Sequence, residues 1–566
     1  MKLLDTAGDN AFPVLTSPPG SRAQPERLEL GLSAGPSTQD RFSWLPAVGL
    51  SLLFTVLVLT WDPHVRDLAA QTFRTELFER NGFAIWNASW YGGHYTLTYS
   101  VLFPPLGALI GPRLVGALAV VASAYLFDRL VRDHWGESAH WATLWFGVGA
   151  VSLLVSGQLT FALGVAIGLL TLRCLQRGWR AAALCSAAAC ALASPVAAVF
   201  LGGVLLSTAL SRRRLSGSLV AAGLLAVGMV LALNLLFPDS GQFPFAFSSF
   251  IAVPLWCAGA LLLTRGMEEE REFRAAVLGY LLASTLVWLA PNQMGGNAIR
   301  LGALFGGPLL AAILLTRRTR APALLVALTL VGSLYWQQVA GVRAVAQSSG
   351  DNSAKAAFYD PLRRWLRAHG GDEARIEVPP TANHWEAAYL APSFALARGW
   401  LRQVDTTRND VFYDEHLSDA AYSRWLEANG VRYVALPRAR LDYSARAERR
   451  LILAQPPYLR LRWRSPSWTV YEVRDTEPLV LGRGSARARL LHVRPESFAV
   501  SVTRPGRFLV RERYTPYWSV SSAAACISRA GDWTELSVSR PARVRVSISF
   551  SPNGMLDDVL GRSGEC

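Results

Sequence analysis

Between Trp44 and Ala340 the chain passes through one apolar run after another, beginning with LPAVGLSLLFTVLVLTW at 45–61. A stretch of about 20 mostly apolar residues has no face to offer water, and in lipid it satisfies its backbone only as a helix. Such runs fall near 43–61, 113–131, 138–156, 158–175, 179–193, 195–211, 215–237, 247–264, 274–290, 299–316 and 321–340, which predicts about eleven transmembrane helices. Charged residues make up 17% of the chain, where a soluble protein carries about 25%. Beyond Ala340 the sequence reads as ordinary globular protein.

The net charge of +15 does not point to nucleic acid, because the bases sit in short links between apolar runs rather than on one arm or face. Their placement instead predicts orientation. Arg129 and Arg132, then Arg173, Arg177 and Arg180, then Arg212, Arg213 and Arg214, then Arg265, Arg271 and Arg274, then Arg317, Arg318 and Arg320 flank every second link. The links around Gly157, Pro195, Pro238 and Pro291 hold no base. By the excess of arginine in cytoplasmic loops, the N-terminus is expected inside and the C-terminus outside in a multi-pass membrane protein, and the dominance of arginine over lysine is a hint of bacterial origin, hence of a plasma membrane. Residues 1–42, rich in Pro, Ser and Gly, cannot bury a core and are expected to be a disordered cytoplasmic tail.

This division leaves a transmembrane domain over 43–340 with two long segments outside, a first loop at 62–112 and everything after 341. In the loop, Val65, Ala69, Phe73 and Leu77 recur at four-residue spacing with Leu68 beside them. That pattern predicts an amphipathic helix lying in the membrane interface or packed on the tops of the spans. Asp62 follows the first apolar run directly, and His64, Asp67 and the cluster Trp90, Tyr91, Gly92, Gly93, His94 and Tyr95 share the loop. Paired glycines allow a close backbone approach, and aromatic rings with polar edges stack on sugars. His64 and His94 are the candidate ligands for a divalent metal, although two histidines without regular spacing do not define a site. Arg300, Asn292, Gln293 and Asn297 stand at the outer end of a span, where the orientation rule predicts no base.

Residues 341–475 mix helix and strand. FYDPLRRWLRAH and LSDAAYSRWLEANG read as helices, RIEV and VRYVAL as strands, which predicts an extracytoplasmic α/β domain. Arg398, Trp400, Arg402, Gln403 and Asp405 form a polar cluster suited either to an acceptor glycan or to an arginine-held turn. Over 476–566, RFLVRERY, ELSVSR and RVRVSISF alternate with period two, as in a β-sandwich. Trp518 and Trp533 belong to this part, and Cys526 and Cys566 are candidates for a disulfide. No CxxC, Walker loop or HExxH is present, which weakens an ATP-driven transport reading.

An N-in first span, an acid just beyond it, a long first loop with a surface helix, many short-looped spans and an outer C-terminal region together resemble the C-type (GT-C) glycosyltransferase superfamily. WNASWYGGHYTLTYSVLFPPLGAL, ARGWLRQVD and YSRWLEANGVRYVAL resemble the matching parts of actinobacterial membrane proteins of that layout. The resemblance implies a hexosyl- or pentosyltransferase using a polyprenyl-phosphate-linked sugar, with an envelope glycan or glycolipid as acceptor and membrane lipids around it. It matches Asp62 to the first-loop acid that activates the acceptor hydroxyl or helps hold a metal; departure of the lipid phosphate needs positive charge nearby, and Arg300, by its position, is the candidate to supply it. His64, Trp90, Tyr91, His94, Tyr95, Asn292, Gln293, Asn297, Arg398, Trp400, Arg402 and Gln403 would contact substrate. The acidic pair of some members is missing, so metal dependence stays open. A transporter or lipid-glycan flippase and a non-catalytic envelope scaffold are the competing readings.

Overall fold

A computed structural model describes residues 43–211, 216–239, 241–414 and 416–559. The tail at 1–42, Arg212 to Arg214 and Cys566 lie outside the described residues, and with them the disulfide expected between Cys526 and Cys566.

Among the described residues, seven helices are long and apolar enough to cross a membrane: Pro112–Trp135, Glu137–Val155, Leu159–Gln176, Gly217–Leu236, Glu268–Leu289, Gly295–Thr316 and Ala323–Ser348. The other expected positions hold shorter apolar helices, Arg180–Ala193, Pro195–Ser211 and Phe247–Leu263, and the first helix, Leu45–Trp61. Leu45–Trp61 bends by 81° into Arg66–Asn81, and the pair makes an eighth span if counted together. Length and composition therefore support seven or eight spans where eleven were expected. The last helix runs to Ser348 rather than 340 because nothing breaks it before Gly350, which takes φ +68°.

The helix Arg66–Asn81 carries the apolar stripe seen in the sequence, and protein covers that stripe. Val65, Leu68, Ala69, Phe73 and Leu77 are all buried. Phe73 stacks on Trp90 with ring centroids 4.2 Å apart. An interfacial helix with its apolar face in lipid is thus not what this segment forms; it packs on its own chain.

After the last helix comes a five-stranded sheet, in spatial order Ala395–Leu396, Arg375–Glu377, Val431–Pro437, Trp468–Val473 and Leu459–Arg464. The first three run parallel and the last two join antiparallel. The helices Asp360–Ala368 and Asp419–Ala428 precede Arg375–Glu377 and Val431–Pro437, as the four-residue spacing of their apolar positions implies.

Two antiparallel four-stranded sheets follow. One orders Trp518–Val520, Ala542–Ile548, Ser497–Arg504 and Arg487–Arg494; the other orders Ala525–Ala530, Trp533–Val538, Gly506–Arg513 and Val480–Gly482. Phe498, Val500, Phe508, Leu536, Val544 and Val546 point into their shared core. That core also takes in Trp86 and Tyr95 from the first long loop and Phe237 from the end of Gly217–Leu236. Each such side chain contributes about 1.5–3 kcal/mol by burial, so the sandwich is held onto the helical part. A buried ion pair, Arg375 to Glu512 at 2.8 Å, joins the five-stranded sheet to the sandwich.

The WYGGHY segment explains itself here. It is a wedge between these parts. Trp90 donates from Nε1 to the Ala387 carbonyl at 3.3 Å, and the Arg513 N–H donates to the Gly92 carbonyl at 2.7 Å. Gly93 has φ +118°, and a Cβ there would lie 2.2 Å from the Trp86 ring. Only glycine fits that position.

Candidate active site

A cavity of about 610 Å³ opens where the first long loop, the helices and the C-terminal region meet. Its lining includes Ser156, Gln158, Ser194, Pro195, Asp239 and Gln293, which belong to the links without bases. The arginine-bearing ends of these helices lie at the opposite termini, where the arginines are paired with acids within one helix or between neighbours. Arg173 pairs with Asp133, Arg132 with Asp128 at 2.8 Å, and Arg317 with Glu270 at 3.5 Å. Deeper in the bundle the wall is apolar, with Leu153, Val196, Val199, Val230 and Leu304. The cavity is amphiphilic, polar where the loops meet and greasy between the helices.

Four arginines and two carboxylates line it: Arg66, Arg74, Arg300 and Arg402, with Asp67 and Asp239. They are not equivalent. Arg402 holds Asp442 through both oxygens at 3.1 and 2.9 Å and donates to the Tyr413 hydroxyl at 2.8 Å, so its charge is neutralised. Arg66 lies over the Trp400 ring at 5.5 Å, with its Nε 4.0 Å from Asp67.

Arg300 has no hydrogen bond or ion pair among the described residues; its guanidinium lies 5.4 Å from the Phe161 ring centroid. It is the second residue of the helix Ile299–Thr316, near the positive end of the helix dipole, where a cation is disfavoured. Across the cavity, Asp67 and Tyr99 are the groups it interacts with electrostatically.

Arg74 is 6% exposed, its guanidinium sits 3.7 Å from the Tyr99 ring centroid, and its Nη1 has no partner. A buried guanidinium with an unmade hydrogen bond costs free energy unless an anion completes it. Arg74 was not among the sequence candidates, which took from this helix only its apolar stripe and Asp67. Asp67, Gln71 and Arg74 in fact recur at i, i+4 and i+7, a polar stripe that turns inward.

The two acids also differ. Asp239 is spent on structure: Oδ1 accepts from Arg408 at 3.2 Å and Oδ2 from the Tyr95 N–H at 3.1 Å. Burial pushes its carboxyl up to about 6 against the pull of Arg408. Asp67, by contrast, is about one-third exposed and has only the 4.0 Å approach of Arg66. It is the carboxylate free to act.

The Asp239 shift makes a prediction with a definite sign. Its pKa is raised from an ordinary 3.8 to about 6, so the folded chain holds a proton that the unfolded chain has already released. From this group, stability is greatest below about pH 4 and falls as pH rises toward 6, by on the order of 2–3 kcal/mol. Thermal unfolding of wild type and Asp239→Asn from pH 4 to 7 should show the variant gaining relative to wild type as pH rises. A difference that stays constant across that range would remove Asp239 as the titrating group.

Of the sequence candidates, the structure brings Arg300, Gln293, Asn297, Trp400, Arg402 and Gln403 to the cavity wall. Others are placed elsewhere. Asp62 ends the first helix at φ 54°, half-exposed, and accepts from Arg113 at 2.8 Å. His64 approaches the Asp62 carbonyl at 3.0 Å and packs beside Trp385 at 5.3 Å. Trp90, Tyr91, His94 and Tyr95 are buried in the wedge, so they are packing residues there and not part of the cavity wall. Burial, and Arg408 after it, hold His94 well below its usual pKa and hence neutral. Asn292 closes its own loop, donating to the Val287 carbonyl at 2.7 Å and accepting from the Gly295 N–H at 2.8 Å. Arg398 holds a turn through Asp405 at 3.1 and 2.6 Å and Ser444 at 3.0 Å. Among the described residues no group of three or more His, Cys, Asp or Glu is placed to hold a metal.

No family model matches this chain, and no curated protein matches it. Among solved structures it is similar to arabinofuranosyltransferase AftD from Mycobacteria, at 17% identity and TM-score 0.45 over 79% of this chain and 41% of that one. A mutant of AftD gives 14% identity and TM-score 0.44, over 92% and 60%. The Archaeoglobus fulgidus oligosaccharyltransferase, tethered to an acceptor peptide, gives 12% and 0.36 over 70% and 69%. The chain therefore spans less than two thirds of the length of either AftD structure.

Proposed function

We propose that this chain is a membrane glycosyltransferase of the C-type layout. In this reading it moves a sugar from a polyprenyl-phosphate donor to an envelope glycan or glycolipid on the outer face of a bacterial plasma membrane. The observation that carries the reading is the charge arrangement of one amphiphilic cavity. Two guanidiniums, Arg300 and Arg74, make no ion-pair contact with a carboxylate among the described residues, and one part-exposed carboxylate, Asp67, has no ion-pair contact closer than the 4.0 Å approach of Arg66. The apolar wall between the helices suits a lipid chain, the arginines suit its phosphate, and the polar mouth suits a sugar.

In the proposed step Asp67 takes the proton of an acceptor hydroxyl while that oxygen bonds to the anomeric carbon. The bond from the anomeric carbon to the phosphate oxygen breaks, its electron pair leaves with the lipid phosphate, and Arg300 and Arg74 stabilise the added negative charge. The surrounding Gln293, Asn297, Trp400 and Gln403 would orient the two sugars. Because the cavity lies at the arginine-poor helix ends, the same reading puts it outside, with the N-terminus inside.

The test is transfer itself. Purified full-length chain, given radiolabelled polyprenyl-phosphate pentose or hexose and an envelope fraction, should move label into glycan. If instead the lipid-linked sugar crosses the bilayer of proteoliposomes with no transfer, the chain is a flippase. An open cavity of this size already weighs against a scaffold whose site is filled by side chains.

A further inference from the structure

We infer that the acceptor carries negative charge along its length and is held on an arginine-lined track leading out of the cavity; this deepens the transfer reading above and rests on it. A depression of about 530 Å³ adjoins the cavity, and Arg66 and Tyr443 line both. It shares Arg440 and Arg449 with a further depression of about 670 Å³, which continues to Arg438 and Arg464. The three hollows form one path from the reacting groups onto the C-terminal region.

The local folding explains why arginines gather there. The strand Val431–Pro437 ends in the turn that carries Arg438 and Arg440. The helix Arg446–Leu453 sets Arg446 and Arg449 three residues apart on one face. Arg464 closes the strand Leu459–Arg464 beside them. Arg440 donates to the Gln347 and Ser349 carbonyls, each at 2.9 Å, and is thereby fixed without being neutralised. Arg438, Arg446, Arg449 and Arg464 are exposed and have no carboxylate partner among the described residues. Among the described residues the one acid lining the two outer depressions, Asp442, is buried and already held by Arg402.

A row of like charges repels itself and is relieved by a polyanion. The planar guanidinium fork matches phosphate and carboxylate groups, whereas a neutral glycan offers it only hydroxyls. Exposed Tyr443, at the junction of the hollows, gives a ring for a sugar face. Continuity with the cavity favours the substrate over a lipid headgroup as occupant.

The test reads binding, without transfer, on the full chain in nanodiscs of zwitterionic lipid. The probe is a labelled sulfated dextran oligosaccharide, its sulfates standing in for phosphate or carboxylate, against unsulfated dextran of equal length. The sulfated probe should bind at least about ten-fold tighter at low salt, and the advantage should shrink at high salt. The double variant Arg446→Gln, Arg449→Gln, with an unchanged melting profile, should lose that advantage, whereas Arg540→Gln on the sandwich should keep it. Equal binding of the two probes, or a double variant that binds as wild type does, overturns the inference. So does a double variant that keeps probe binding but loses association with anionic vesicles, which would make the track a membrane contact. Loss of transfer with probe binding intact would fault the transfer reading alone.

Discussion

Replacing Asp67 by asparagine is expected to lower kcat for sugar transfer by about 10²–10⁴-fold, the range that a positioned general base supplies. The same change at Asp62 should leave transfer near the wild-type rate. The contrast follows from what each carboxylate already does. Asp62 is bound by Arg113 at 2.8 Å and is not part of the cavity wall, whereas Asp67 lines it with no close partner. The asparagine keeps the size and polarity of Asp67 but cannot accept a proton. Stability should hardly change, since a part-exposed approach at 4.0 Å contributes at most about 1 kcal/mol. Donor KM should also stay near wild type, because the lost interaction exists only in the transition state. The decisive measurement is single-turnover transfer by the two variants beside wild type. An Asp67→Asn protein that transfers normally would remove Asp67 from the mechanism, and a defect in Asp62→Asn alone would restore the sequence-based assignment.

The contrast between the two acids shows where sequence reading reached and where it stopped. The apolar runs located a helix at every expected position, because that pattern is local. Period-two alternation likewise located Gly506–Arg513, Trp533–Val538 and Ala542–Ile548. Arg300 stood out in the sequence as a base at a helix end whose neighbouring links hold none, and it lines the cavity. What could not be read was direction. An acid at the end of a span and an acid five residues later look alike until the chain bends by 81° between them and turns only the second inward. The aromatic cluster misled for a different reason. Rings with polar edges serve sugar stacking and interior packing equally well, and their 90–95 segment is wedged between two sheets contributed by residues about 300 and more positions later. A lone arginine on an amphipathic helix, such as Arg74, carries no sign in the sequence of whether it meets water or a cavity.

Arg300 and Arg74 carry the second large expectation. Changing either to glutamine should lower kcat/KM for the donor by about 10–100-fold, as expected for loss of a charge-assisted hydrogen bond of 1.5–3 kcal/mol. If both hold one phosphate, the two losses should not add, and a double-mutant cycle should give a coupling of about 0.5–3 kcal/mol. Inhibition by polyprenyl phosphate without its sugar should weaken in both variants and stay unchanged in Asp67→Asn, because that ligand carries the phosphate and lacks the reacting centre. The stability change distinguishes this role from simple damage to the fold. In the unliganded protein Arg300 bears an unpaired charge near the positive end of a helix dipole, and Arg74 a buried Nη1 with no acceptor. Removing either charge should therefore leave the melting temperature unchanged or raise it, while activity falls. Polyprenyl phosphate should raise the melting temperature of wild type more than that of either variant, since a ligand stabilises only the state it binds. Variants that lose activity and melt well below wild type, or that keep wild-type inhibition by the lipid phosphate, would show these arginines to be structural and the phosphate to sit elsewhere.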